Sequence, residues 1–242
     1  MNPTIELIKT HRVYREFDPT AVVSEAELNE ILCCAQQAPS WLNGQHYSII
    51  HITDPELRQK IVDLQPRNPQ LAQCSVLLVF VMDGYRASLA SEALNSSFEG
   101  FSDADTLITL ATDTAMAAQN ASIAAESLGY ATCPIGGLRL IAADLIGLLN
   151  LPKYSYPAFG LCIGKAAVDM RIKPRLAKSA VVFDNQYQTQ ELPKLLAEYE
   201  QRLLDFAEPR EKLPYRQKFA NYYSQPYVEH GERWLKKQGF LK

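Results

Sequence analysis

The segment ADTLITLATDTAMAAQNASIAAESLG (104–129) is the part of the chain that says most about the fold. It holds eight alanines between Ala104 and Ala125 and closes at Gly129, a residue that commonly ends a helix. Small side chains at helical spacing allow two backbones to approach closely. We therefore expect one long central helix that packs against other helices or against a second subunit.

Segments typical of strands and shorter helices lie on both sides of this helix. The run SVLLVFVMD (75–83) is apolar on both faces and is predicted to be a central strand. Ser24 and Glu27 form a capping-box pattern that opens a helix. Further strands are predicted at 46–53, 130–135 and 156–166, and 180–185 could add another. Further helices are predicted at 3–10, 55–64, 141–150 and through most of 190–242, whereas 84–103 could be a loop or short helices. The pattern indicates a single α+β domain with a helical C-terminal extension.

The composition excludes several classes of protein. The chain has 242 residues, of which 47% are hydrophobic and 21% charged, so it has enough apolar material to fold. With 24 basic and 27 acidic residues it is not a general nucleic-acid binder. No apolar run predicts a transmembrane helix, and the N-terminal segment is not that of a secretory signal. We expect a cytoplasmic protein with neither nucleic-acid nor membrane partners.

Cysteine and histidine spacing argues against disulfides and metal sites. The number of cysteines is odd and none forms a C-x-x-C pair, which predicts buried reduced thiols at Cys33, Cys34, Cys74, Cys133 and Cys162. The four histidines are scattered without H-x-x-x-H spacing, so no metal site is expected. Hydrolase and P-loop motifs such as G-x-S-x-G are missing from the sequence as well.

Two basic segments are candidates for binding a phosphate. His11, Arg12 and Arg15 follow the first predicted helix, and Lys173 and Arg175 flank a proline. Arginine offers a planar fork of donors and lysine a point charge. Either segment alone could equally be solvated surface charge.

Two loops could contact a flat or polar ligand. Gly136 and Gly137 follow a predicted strand, and glycine lets a backbone approach a ligand closely. The loop SWLNGQ (40–45) offers the side chains of Ser40, Asn43 and Gln45 as donors and acceptors. Ordinary turn chemistry is the alternative in both cases.

Taken together and in this order, the motifs resemble the nitroreductase superfamily of flavin enzymes. The resemblance begins at TIELIKTHRVYREF (4–17), with an H-R-S-x-R-like turn, and passes through the A-P-S-x-x-N-G-Q loop. It continues in DTAMAAQNASIAAESLG (113–129), PIGGLR (134–139), LPKYSYPAFGLCIG (151–164) and KPRL (173–176). The KPR segment and the C-terminal part are similar to the NADPH-dependent oxygen-insensitive nitroreductases and FMN reductases.

The resemblance implies a nitroreductase-like fold with a central mixed or antiparallel sheet flanked by helices. It implies an intertwined homodimer that holds FMN without a covalent bond at the subunit interface. One domain would span 1–242, with a helical extension from about residue 190. The residues that would contact FMN are His11, Arg12, Val13, Arg15, Ser40, Asn43, Gln45, Asn68, Pro134, Ile135, Gly136, Gly137, Lys173 and Arg175.

The resemblance also implies a role for each group in this set. The phosphate would be held by His11 and Arg12 with Lys173 and Arg175, and Arg15 would lie at the pyrimidine edge. The 40–45 loop would reach the ribityl chain or the ring from its own or the other subunit. Asn68 would reach the ring edge, and the Gly136 N–H would lie near N5. Two positions depart from the family pattern: Val13 replaces a serine, and Pro134, where an aromatic residue is common, has no N–H.

The activity implied is a ping-pong transfer of hydride from NADPH to the flavin and then of electrons to nitroaromatics, quinones or related small acceptors. The flavin is the redox centre, so no catalytic side chain is assigned, and Arg15 would stabilise the anionic reduced ring. Arg210 leads a group of cations expected to contact NADPH, although a solvated helical bend is the alternative; the group is Arg202, Arg210, Lys212 and Arg216. Two other functions stay open: a flavin reductase that passes reduced FMN to a partner, and a flavin-binding module without turnover.

Overall fold

The computed structural model describes residues 2–242, which form two compact units. One comprises the chain up to Met170 together with His230–Lys242, and the other comprises Arg171–Glu229.

The first unit is built on a four-stranded antiparallel sheet in the order β1-β2-β4-β3. The strands are β1 (Tyr47–His51), β2 (Val76–Asp83), β3 (Ala131–Ile135) and β4 (Ser155–Gly164). Every residue of β2 is buried, as predicted for an apolar run at the centre of the sheet. Strand β3 pairs with β4 and lies at the edge of the sheet.

Ten α-helices complete the described chain. Their bounds are α1 (Pro3–Lys9), α2 (Glu25–Gln36), α3 (Pro55–Leu64), α4 (Gln70–Gln73), α5 (Tyr85–Ala93), α6 (Ala104–Ser127), α7 (Ala142–Leu148), α8 (Leu192–Phe206), α9 (Tyr215–Tyr223) and α10 (Gly231–Lys237). Short 3-10 helices lie at Trp41–Asn43, Glu99–Ser102, Gly136–Ile141 and Lys178–Ala180. Within residues 2–242, no helix combines the length and the apolarity that crossing a membrane requires.

The long helix α6 packs where the sequence predicts. Its residues Ala117, Ala121 and Ala125 are fully buried in a cluster with Ile31 and Ala35 of α2 and with one face of the sheet. The opposite face carries a second cluster around α3, α4 and α7. Gly129 follows the helix with φ +78°, the left-handed conformation that glycine adopts without strain.

The structure corrects two sequence-based predictions. Residues 180–185 do not form a strand. The segment begins in a 3-10 helix (Lys178–Ala180), and Val181 and Val182 are exposed with no neighbouring strand among the described residues of the second unit to pair with. Cys33 and Cys34 are exposed rather than buried, because Ile31 and Ala35 occupy the core-facing side of α2. Cys74, Cys133 and Cys162 are buried, as predicted.

The second unit contains α8 and α9. The ring centroids of Tyr199 and Tyr215 lie 5.1 Å apart and join the two helices. Within the first unit, α10 is followed by Phe240, which is fully buried against Phe101 and Tyr156.

Candidate functional site

The basic turn at residues 11–15 lies beside the edge strand β3. The Tyr14 N–H donates to the Thr132 carbonyl at 3.1 Å, and Phe17 forms an antiparallel bridge with Ala166 just beyond β4. These backbone contacts hold the turn along the sheet edge, so the side chains of His11, Arg12 and Arg15 are presented from one short segment.

His11 is oriented by a carboxylate from the last turn of α6. Its Nδ1 lies 2.8 Å from Glu126 Oε1 and 3.0 Å from Oε2. The Thr132 hydroxyl donates to the same carboxylate at 2.6 Å. With Glu126 as acceptor, Nδ1 carries a proton, and Nε2 is the ring nitrogen that does not contact this carboxylate. The sequence analysis missed Glu126 and Thr132.

Arg12 has an incompletely satisfied guanidinium. Its Nη1 donates to the Thr10 carbonyl at 3.0 Å, and the guanidinium carbon lies 5.3 Å from the Tyr14 ring centroid. Its Nε is buried and has no hydrogen-bond partner in the described chain. No carboxylate within residues 2–242 forms an ion pair with Arg12. An oxyanion would satisfy this donor, since buried polar groups in native proteins nearly always have a partner.

Gly136, the first of the two glycines, borders a cleft between β3, β4 and α6. The cleft has a volume of about 340 Å³, and Pro134, Gly136, Arg139 and Phe159 contribute to its wall. Arg139 donates to the Ala158 carbonyl at 3.2 Å and adds a cation that the sequence analysis did not assign to the site.

Asn68 and Gly137, both predicted to contact the cofactor, are neighbours. A Cβ atom at Gly137 would come within 3.0 Å of Asn68 Nδ2, so the glycine makes room for the amide. The Asn68 amide donates to Gln65 Oε1 at 3.0 Å and accepts from Gln70 Nε2 at 3.2 Å. Both glutamines are buried, and the sequence analysis missed both.

The loop from Ser40 to Gln45 presents polar side chains on a folded backbone. The Gln45 N–H donates to Ser40 Oγ at 3.1 Å, and the side chains of Asn43 and Gln45 are exposed. The loop therefore keeps the side chains of Asn43 and Gln45 available as donors and acceptors.

In the second unit, Lys173 is paired with acidic residues. Its Nζ lies 2.8 Å from Glu211 Oε1 and 3.8 Å from Glu208 Oε2, while Lys218 pairs with Glu211 Oε2 at 2.8 Å. Burial opposes ionisation of Glu211, but the hydrogen bonds from the two lysines outweigh it and lower its pKa to about 2. The neighbouring Arg175 donates to the Lys173 carbonyl at 3.0 Å.

The four cations predicted to contact NADPH differ in their surroundings. The Arg216 guanidinium donates to Glu200 Oε1 at 2.6 Å, and its backbone N–H donates to Oε2 at 2.8 Å, so this side chain is committed to an ion pair. Lys212 donates to the Pro209 carbonyl at 3.1 Å, and the Arg202 guanidinium lies 5.7 Å from a tyrosine ring centroid. All four are exposed, and Arg210 is the one whose side chain forms no hydrogen bond, ion pair or ring contact with the described residues.

Comparison with known proteins gives consistent matches over the whole chain. A model of the nitroreductase family matches residues 8–165, and a model of the C-terminal domain of that family matches residues 173–242. An FMN reductase (NAD(P)H) of Bacillus subtilis strain 168 is 36% identical over 246 residues, which cover 99% of this chain and 98% of the relative. An oxygen-insensitive NADPH nitroreductase of Salmonella typhimurium is 38% identical over 206 residues, which cover 85% of this chain and 83% of the relative.

Solved structures agree with these matches. B. megaterium NfrA2 superposes with a TM-score of 0.94 at 31% identity, over 100% of this chain and 99% of the other. The NADPH:FMN oxidoreductase from Vibrio harveyi, complexed with NAD+, superposes with a TM-score of 0.88 at 28% identity, over 98% of each chain.

Proposed function

This chain belongs to the nitroreductase family, and on that premise we propose that it is an FMN-dependent oxidoreductase that uses NAD(P)H. The predicted family and the predicted α+β nitroreductase-like fold are both confirmed. The names of its relatives, FMN reductase and NADPH nitroreductase among them, support FMN and NADPH as the molecules bound.

The single observation in the structure that carries the proposal is the buried Arg12 Nε without a partner in the described chain. It lies in the basic turn, where a phosphate oxygen would complete its hydrogen bonding. His11, held by Glu126 through Nδ1, would donate to the same phosphate from Nε2 when both ring nitrogens are protonated. The residues present therefore fit the phosphate end of FMN.

The remaining contacts are proposed from the family resemblance. We assign the ring edge to Asn68 and the backbone of Gly136 and Gly137, and the pyrimidine edge to Arg15. Ser40, Asn43 and Gln45 would bind the ribityl chain or ring. When bound, FMN supplies the two-electron chemistry, whereas these residues bind it, orient it and stabilise negative charge on it.

We propose nitroaromatics, quinones and related small molecules as electron acceptors, and NADPH as the preferred coenzyme. The exposed guanidinium of Arg210 supports this preference, because NADPH carries a 2′-phosphate that NADH does not.

We also propose that the chain acts as a homodimer and that residues 1–242 work as one functional domain. An apolar groove of about 590 Å³ between α1 and α6 supports the dimer, with Leu7 and Ile123 on its wall. Ile5 and Ile8 on α1 are about half exposed, which is unusual for large apolar side chains placed so close together.

The test is anaerobic rapid-mixing reduction of the FMN-loaded protein by NADPH and by NADH, followed by a panel of oxidants. We expect NADPH to bleach the flavin absorbance and nitrofurazone or a quinone to restore it. A protein that binds FMN but is not bleached by either coenzyme would be a binding module and would refute the enzyme function.

A flavin reductase is the second candidate, and the relatives named FMN reductase favour it. Steady-state turnover with added free FMN as acceptor is compared with turnover on nitrofurazone and on quinones. This comparison separates the flavin reductase from the nitroreductase. If turnover requires free FMN, the protein is a flavin reductase. If nitrofurazone or a quinone supports turnover without free FMN, it is a nitroreductase.

A further inference from the structure

Helix α6 buries a carboxylate among its alanines. Asp113 is only 1% exposed, and a buried charge is costly unless other groups compensate it. Its Oδ1 accepts from the Trp41 N–H at 3.0 Å. Its Oδ2 lies 2.8 Å from His46 Nδ1 and 3.4 Å from the His46 N–H. All of these partners belong to the segment that contains the predicted cofactor loop.

The loop so held has an unfavourable backbone. Leu42, Asn43 and Gln45 have φ values of 48°, 55° and 50°, in the left-handed region that non-glycine residues rarely adopt. Such a conformation persists only where surrounding contacts enforce it. The hydrogen bonds that Asp113 accepts from Trp41 and His46, at the two ends of the loop, are contacts of that kind.

The His46 ring restrains the loop from a second direction. It packs against Gly44 so closely that a Cβ atom at this glycine would collide with the imidazole. On the other side of the loop, Arg86 donates to the Tyr47 carbonyl at 2.7 Å and also to the Gln45 carbonyl. The backbone is therefore fixed while the side chains of Asn43 and Gln45 stay exposed.

We propose that Asp113 and His46 are positioning residues for the flavin: the pair fixes the Ser40–Gln45 loop in the conformation that binds FMN. The inference rests on the proposed FMN-dependent function. A loop that is ordered before binding loses less conformational entropy when the ligand arrives, so the pair raises affinity without contacting the ligand.

Two amide substitutions of His46 test the proposal. An asparagine amide nitrogen takes nearly the place of Nδ1, whereas a glutamine amide nitrogen takes that of Nε2. His46→Asn therefore keeps the hydrogen bond to Asp113, and His46→Gln loses it with similar bulk and polarity. His51→Ala serves as the control, because it removes a half-buried imidazole of β1 outside the loop.

The measurements are the FMN dissociation constant from flavin fluorescence, the visible circular dichroism of bound flavin and the unfolding temperature of the FMN-free protein. We expect His46→Gln to weaken FMN binding about tenfold, the loss expected for one hydrogen bond to a charged group. His46→Asn and His51→Ala should stay within about threefold of the wild type. The flavin dichroism should change only in the glutamine variant.

Two outcomes would overturn the inference: His46→Gln binding FMN as tightly as His46→Asn, or both amide variants losing affinity equally. If His46→Gln does not fold, Asp113→Asn takes its place and should show the same loss. A wild-type protein that binds no FMN would instead refute the proposed function, so the two failures are distinguishable.

Discussion

Replacing Arg12 with methionine should weaken FMN binding while leaving the stability of the FMN-free protein nearly unchanged. The variant keeps much of the side-chain length but removes the guanidinium, whose Nε is buried without a partner in the described chain. It also removes the hydrogen bond to the Thr10 carbonyl and the contact with the Tyr14 ring.

The expected change in the stability of the FMN-free protein is small. A buried donor without a partner costs about 1–3 kcal/mol, and the substitution relieves that cost. The hydrogen bond that is lost contributes about 0.5–1.5 kcal/mol, and the cation–π contact about 0.5–1 kcal/mol. These terms nearly cancel, so the free energy of unfolding should change by less than about 1 kcal/mol.

FMN binding should change much more. A hydrogen bond from a charged donor to a phosphate contributes about 1.5–3 kcal/mol, which corresponds to a loss of about 10- to 150-fold in affinity. Fluorescence titration with FMN gives the dissociation constant, and denaturant unfolding of the FMN-free protein gives the stability. Arg233→Met, at an exposed position of α10, is the matched control and should change neither quantity.

Two results would refute this reasoning. Unchanged FMN affinity would show that Arg12 does not bind the phosphate. A loss of more than about 3 kcal/mol in the FMN-free protein would show that the guanidinium is a structural group instead.

Three further predictions concern other parts of the site. Gly137→Ala should weaken FMN binding severalfold and destabilise the protein by about 1 kcal/mol, because its Cβ would press on Asn68 at 3.0 Å; calorimetric titration and thermal unfolding measure the two effects. Arg210→Ala should lower the NADPH/NADH ratio of kcat/KM by about three- to tenfold, and an unchanged ratio would remove this exposed residue from the coenzyme site. Glu211 has a folded pKa of about 2 against an ordinary 4.5, so its ion pairs stabilise the protein above pH 4.5, and that stabilisation is lost as the pH falls from 4.5 towards 2. Unfolding temperatures of wild type and Glu211→Gln should therefore differ at pH 6 and converge near pH 2; curves that stay parallel would contradict the role of these ion pairs.

Elements with strong local signals were predictable from the sequence. Helix α3 (Pro55–Leu64) begins at the Asp54 cap, where the Glu56 N–H donates to the aspartate at 2.9 Å. The capping box of Ser24 and Glu27 is present with both of its hydrogen bonds. Caps, turns and alternating burial depend on residues a few positions apart, so the sequence displays them directly.

The supporting residues of the site were not predictable in this way. His11 and Glu126 are 115 positions apart, and His46 and Asp113 are 67 positions apart. Each carboxylate lies in an alanine-rich helix, where a single acidic residue could equally be solvated. Only the packing of α6 against the sheet and loops brings these pairs together. The exposure of Cys33 and Cys34 has the same origin, since the face of α2 that is buried depends on where α6 lies.

Pro134 hinders the addition of another strand to the β3 edge of the sheet. It is exposed on β3, whose only strand partner among the described residues is β4; the Tyr14 N–H covers the Thr132 carbonyl on the outer side, and Pro134 carries no N–H to donate to an incoming strand. An open sheet edge is otherwise a template on which another chain can add a strand and begin to aggregate. The proline therefore makes this part of β3 a poor template for an added strand. Replacing it with valine would then endanger solubility during expression more than it would disturb the fold.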